Sequence, residues 1–135
     1  MSAFRVLDIA QTGTDVSNTW LEAIAHNLAN VNTIYPADQE PFRALLVHAQ
    51  EINSQTDTGD GAEVVEILEW DAEPMLVWDP DHPLASDEGY VVRPVIDIAH
   101  QMADLIAAQR SYQLDIQVIK TGEESYQAAL QIGRA

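Results

Sequence analysis

Residues 95–132 read VIDIAHQMADLIAAQRSYQLDIQVIKTGEESYQAALQI, and their spacing sets the expectation for the whole fold. Ile98, Met102, Leu105, Tyr112, Ile116, Ile119, Tyr126 and Leu130 recur along a three/four seam that breaks only at Gln109 and Glu123. That period predicts a long helix with a narrow apolar stripe. Pro94 blocks a helix entering from upstream, Asp97 suits the positive end of the helix dipole, and Gly133 is a reasonable stop. A stripe this narrow is a coiled-coil seam more than the broad face of a compact bundle.

The opposite end of the chain carries the same signal. Ile9, Val16, Trp20, Ile24, Leu28 and Val31 fall three, four and seven residues apart, predicting a helix from about Ala3 to Val31 with Ser2 as its N-cap. At 1.5 Å per residue it is about 40 Å long. Gly13 costs roughly 1 kcal/mol relative to alanine inside a helix, so it marks a bend or a close helix contact. The expected organisation is a helix at 1–32, an acidic β-rich or extended segment at 33–94, and a helix at 95–135. The two ends form one core domain. The fold class is mainly α with a small β element, the terminal helices pairing as an antiparallel coiled coil.

Between the helices the composition changes. Residues 33–94 hold all six prolines, 14 acidic residues and two basic ones. Phe42 to Ile52 and Glu63 to Trp70 are rich in β-formers and flank a glycine-bearing turn at Asp57 to Gly61, a hairpin signal. Met75 to Trp78 and Gly89 to Arg93 read as two further short strands, joined across Asp79-Pro80-Asp81-His82-Pro83. So few strands bury little alone, so this element is expected to lean on the helices or on a neighbouring subunit. Its acidic surface faces solvent or a basic neighbour.

Composition bounds the function. The chain has 135 residues, one domain's worth, with 22 acidic against six basic residues and a net charge of −16. Nucleic acid or an anionic membrane surface as main partner needs a basic patch, which this balance argues against. No run has the apolar length of a membrane span. Cysteine is absent, excluding disulfides and thiolate chemistry and fitting a protein exported through an oxidising compartment. The N-terminus lacks a signal peptide, so export would use an uncleaved signal.

No catalytic or metal pattern emerges. Centring a calcium loop on Gly61 places Ile67 where glutamate belongs, and centring it on Gly59 places Val65 there. His26, His48, His82 and His100 have no metal-ligand spacing, and His26 and His100 read as packed or solvent-facing. Asp79 and Asp81 flank prolines in a polar turn, where solvation outweighs acid/base work. The expectation is no enzyme, no cofactor and no metal.

The stretch Ala25-His26-Asn27-Leu28-Ala29-Asn30-Val31-Asn32-Thr33 resembles the "A-S-N-I-A-N-x-N-T" signature of bacterial flagellar axial proteins, the rod and hook components. Asn27 and Asn30 suit a helix end by offering hydrogen bonds to freed backbone groups, and Ala25 and Ala29 permit close helix approach. Phe4 to Ala10, Pro41 to Ala44, Pro74 to Ala85, Gly89 to Val91, Pro94 to Asp97 and Ala108 to Gln113 are similar to rod-protein motifs, in the same order and at matching spacing. His26 departs from the usual small polar residue, and the chain is more acidic than the family pattern.

The resemblance implies a structural subunit of the proximal rod, in the flagellar basal body of the periplasm or cell wall. Such a subunit assembles helically into a drive shaft that transmits torque from motor to hook. It implies as partners other copies of the chain, other rod proteins, the rod adaptor and MS-ring components, and the type III export apparatus in transit. The expected assembly interface is Ile9, Val16, Trp20, Ile24, Asn27, Leu28 and Asn30 from the first helix. From the second it takes Ile98, Met102, Leu105, Arg110, Tyr112, Ile116 and Ile119, with Arg110 and Tyr112 reaching beyond the intramolecular pair. The alternative from another class is a small acidic type III export chaperone, a compact closed dimer.

Overall fold

A computed structural model describes residues 3–52 and 59–133. The element order is α1 (Ala3–Asn30), β1 (Tyr35–Pro36), β2 (Leu45–Glu51), β3 (Ala62–Glu69), β4 (Met75–Trp78), β5 (Tyr90–Arg93) and α2 (Ile98–Gly133). Asp97 starts α2 as an N-cap: its Oδ1 accepts the backbone N–H of Ala99 at 2.9 Å and of His100 at 3.3 Å. Asn30 ends α1 by donating from Nδ2 to the carbonyl of His26 at 2.9 Å. Ser2, expected as the N-cap of α1, lies outside the described residues.

The contacts between the helices run in opposed order. Phe4 meets Tyr126 edge-to-face with ring centroids 5.3 Å apart, Gly122 faces Leu7, Gly13 faces Asp115, and Asn27 bonds to Gln101. Partner numbers on α2 therefore fall as those on α1 rise. Beyond Tyr126, α2 continues to Gly133 with Leu130 and Ile132 exposed, Ile132 by 78%.

The buried apolar set among the described residues is Ala10, Ala23, Ile24, Ala44, Val91, Val92 and Ala108. Four of the seven are alanines, so the core is thin and depends on close backbone approach. Thr14, Ser17, Asn27 and Gln101 are buried with them. The Thr14 hydroxyl is satisfied by the carbonyl of Ala10 at 3.0 Å.

The middle segment forms two sheets. β2 and β3 pair antiparallel as a hairpin, Leu46 opposite Leu68, with a register slip between His48 and Ala49. The second sheet has the order β1-β5-β4, so β5 is central and supplies the buried Val91 and Val92. The hairpin and both later strands form where the β-rich stretches predict them, trimmed at their ends. β1 has only two residues, too few to leave a pattern. The β2–β3 hairpin packs on α1. Gly61 makes that seating possible: its φ is +117° and an added Cβ would collide with the Thr12 side chain. The Thr12 hydroxyl in turn accepts the N–H of Ala62 at 3.1 Å.

Candidate assembly surface

Asn27 is the junction of three elements. Its Nδ2 donates to the Leu45 carbonyl at 2.9 Å and to Gln101 Oε1 at 3.0 Å, while its Oδ1 accepts the Leu45 N–H at 2.7 Å. The side chain, 1% exposed, thus pairs with β2 as a neighbouring strand would and ties the same point to α2. This corrects its expected role as a helix-ending residue: a side chain turned inward from the last turn reaches a strand backbone and a helix side chain that a local reading does not see. Ala25 and Ala29 are also corrected, because both face solvent; the close approach is made by Ala10, Gly13, Ser17 and Ala23.

On α2 the surface toward α1 carries Gln101, Ala108, Asp115 and Gly122, seven residues apart. A Cβ on Gly122 would come within 2.6 Å of Leu7 Cδ2, and one on Gly13 within 2.9 Å of Asp115 Oδ2. Small residues on each helix admit a larger side chain of the other. Asp115 is the exception in chemistry: its Oδ2 is buried with no hydrogen-bond partner, and desolvation pushes its carboxyl above the ordinary carboxylate range.

The expected interface residues are distributed over three environments. Ile24 is buried at 2% exposure and Asn27 beside it. Ile9, Val16, Trp20, Leu28, Asn30, Leu105, Tyr112, Ile116 and Ile119 are half-buried, on the margins of the helix contact. Ile98, Met102 and Arg110 are exposed. The intramolecular contact on α2 therefore lies to one side of the apolar row, on Gln101, which accepts a hydrogen bond from Asn27, and on Ala108, whose small side chain lets the backbones close. Gln101, Ala108, Asp115, Gly122 and Thr12 were missed by hydrophobic periodicity. The two intrahelical glycines were the available signal for part of this seam.

Twenty large apolar side chains remain exposed among the described residues. They include Phe4 and Val6 on α1, Ile106, Leu114 and Val118 on α2, and Leu46, Leu68 and Trp70 at the hairpin. A cleft of about 320 Å³ between the hairpin base and α2 is lined by Ala44, Leu46, Trp70, Ile96, His100 and Gln101. His100 and Asp104 pair across 3.4 Å at its edge. Among the described residues no group of three or more His, Asp or Glu is placed to hold a metal ion, and no helix is long and apolar enough to cross a membrane. The calcium alignments considered for the hairpin turn involve Ser54, Thr56 and Thr58, which lie outside the described residues.

Residues 88–132 match the family model described as flagellar basal body rod FlgEFG protein C-terminal. The paired terminal helices and this match define the class: a structural rod protein of the bacterial flagellum. Over 134 residues the chain is 31% identical to the flagellar basal-body rod protein FlgC of Escherichia coli O6:H1, covering 99% of this chain and 100% of the relative. The FlgC of Bacillus subtilis is 29% identical over 150 residues (99% and 100% covered), and that of Borreliella burgdorferi 30% over 149 (98% of each). The chain belongs to the FlgC family of flagellar basal-body rod proteins, and its location is the flagellar basal body. The relatives are flagellar rod proteins, and neither their names nor the family model indicates an enzyme or an export chaperone.

Proposed function

We propose that the chain is a self-assembling subunit of the proximal rod, whose terminal helices pair as an antiparallel coiled coil and complete their burial against neighbouring subunits. The observation that carries this reading is the imbalance between a thin, alanine-rich core and the large apolar side chains left exposed along α2 and at the first turn of α1. The opposed order of helix contacts and the seven-residue recurrence of Gln101, Ala108, Asp115 and Gly122 support the coiled coil. Copies of this chain and other rod proteins are its neighbours, and the rod adaptor and MS-ring components adjoin it. The type III apparatus exports it.

In this reading the neighbouring subunits meet Ile9, Val16, Trp20, Leu28 and Asn30 on α1 and the residues named from Ile98 to Ile119 on α2, while Ile24 and Asn27 are enclosed within the chain and serve its own helix pair. Torque is carried by many side-by-side helices together, so no single residue acts as a catalyst does. Co-assembly with purified rod proteins tests the proposal. Polymers seen by electron microscopy with the unaltered chain, and lost with Leu105→Asp or Ile116→Asp, are the expected result. A closed dimer indifferent to both substitutions overturns it.

A further inference from the structure

Among the described residues no strand pairs with the outer edge of β4 in the β1-β5-β4 sheet. β4 is Met75-Leu76-Val77-Trp78, four apolar residues without a charge, proline or bulge to blunt the edge. Backbone bonding shows which groups are free. The Asp79 N–H donates to the Gly89 carbonyl at 2.9 Å. Tyr90, opposite Trp78, instead spends its N–H on Ser86 Oγ at 3.2 Å and its carbonyl on the Ser86 N–H at 2.9 Å. The two-residue alternation of an antiparallel ladder therefore turns the N–H and C=O of Trp78 and Leu76 toward the open edge. The side chains of the same two residues share one face and are 67% and 63% exposed.

Charge selects the occupant. Glu73, Asp79 and Asp81 flank β4 in the chain, with no basic residue among them before Arg93, whereas Asp87 and Glu88 lie beside Pro36 to Asp38 at the far edge of the sheet. A second copy brings the same carboxylates and a net charge of −16, so like charges oppose edge-to-edge pairing of two copies. We infer that β4 is a docking edge for an extended, basic segment of a different protein, added as a further strand. Its main chain would bond to Leu76 and Trp78, its apolar side chains pack on them, and its lysines or arginines meet the surrounding carboxylates. This goes beyond the helix-pair reading and uses none of its residues.

The test uses the full chain with two synthetic nine-residue probes, one alternating lysine and valine, the other glutamate and valine. The lysine peptide is expected to bind and to slow amide hydrogen exchange at Leu76 and Trp78 several-fold, read by NMR. The glutamate peptide is expected to do neither. Leu76→Pro removes an outward N–H without touching the β4–β5 ladder and should weaken binding roughly tenfold, the worth of about one lost hydrogen bond. Should that variant fail to fold, the exposed pair Glu73→Lys and Asp81→Lys serves instead and should reverse the preference between the peptides. No binding by the lysine peptide, binding without slowed exchange at Leu76 and Trp78, or equal binding of both peptides overturns the inference. So does self-association of the free chain that Leu76→Pro abolishes, since the occupant is then a second copy.

Discussion

Both donors of the Asn27 amide and its oxygen are engaged by other elements, which makes it a sensitive position. Asn27→Asp keeps the shape, but it removes both donors and sets a carboxylate against the Leu45 carbonyl in a buried site. A loss of about 2 kcal/mol is expected in denaturant unfolding, where each stranded buried polar group costs about 1–3 kcal/mol. An unchanged midpoint would refute the role. Asp115 works in the other direction. Its folded-state carboxyl titrates above the ordinary range, so the folded state holds the proton more tightly than the unfolded chain. The stability from protonation is present at acid pH and is lost as pH rises from the ordinary carboxylate range through the raised value. Asp115→Ala is therefore expected to raise neutral-pH stability by about 1 kcal/mol and to flatten that part of the pH profile. Thermal unfolding across pH checks it; a destabilised variant at neutral pH would show that Oδ2 is better solvated than its burial indicates.

At the scale of elements, the helix pair depends on two glycines in place of side chains. Gly122→Val improves local helix propensity, yet it drives a branched side chain into Leu7. The expected result is loss of the Phe4–Tyr126 end of the pair, seen as faster amide exchange over the first turns of α1 while Ala23 to Asn27 stays protected. Uniform protection would mean that Leu7 moves aside freely. The hairpin makes a parallel demand, and Gly61→Ala, strained in backbone and pressed on Thr12, should loosen β3 from α1.

Both helices and four strands were legible because each writes its period over enough residues to be counted. The face was less legible than the element. Apolar content pointed to Ile98 and Met102, whereas a hydrogen bond from Asn27 placed Gln101 in the contact and small volume placed Ala108 there. Asn27 stood in a recognisable motif, but its partner Leu45 is 18 residues away, so a local reading assigned it to the helix end. Asp115 gave no signal of burial to a search for apolar periodicity, because a charged residue is not counted in the seam even between Leu114 and Ile116.

For the whole molecule, the relevant balance is between a thin core and a strong like charge. The isolated chain is expected to lose its ends to protease before its middle, since the terminal turns have the fewest buried neighbours. Limited digestion followed by mass spectrometry decides this, and termini cut last would contradict it. Screening shortens the reach of surface charge to about 8 Å at physiological ionic strength, so assembly of so acidic a subunit should quicken as salt is raised from low concentration. Light scattering in a salt series would show the opposite trend if attraction between unlike charges drove the process.

Because α2 outruns α1 at Tyr126, the molecule ends in a step rather than a flat face, with Leu130 and Ile132 on the projecting tread. Under the proposed assembly, units of that shape would stack like lapped tiles, each joint bridged by the overhang of the unit beyond it. A column built this way has no common plane along which every seam can slip at once, and a twisting load applied at one end passes across its breaks instead of collecting at them.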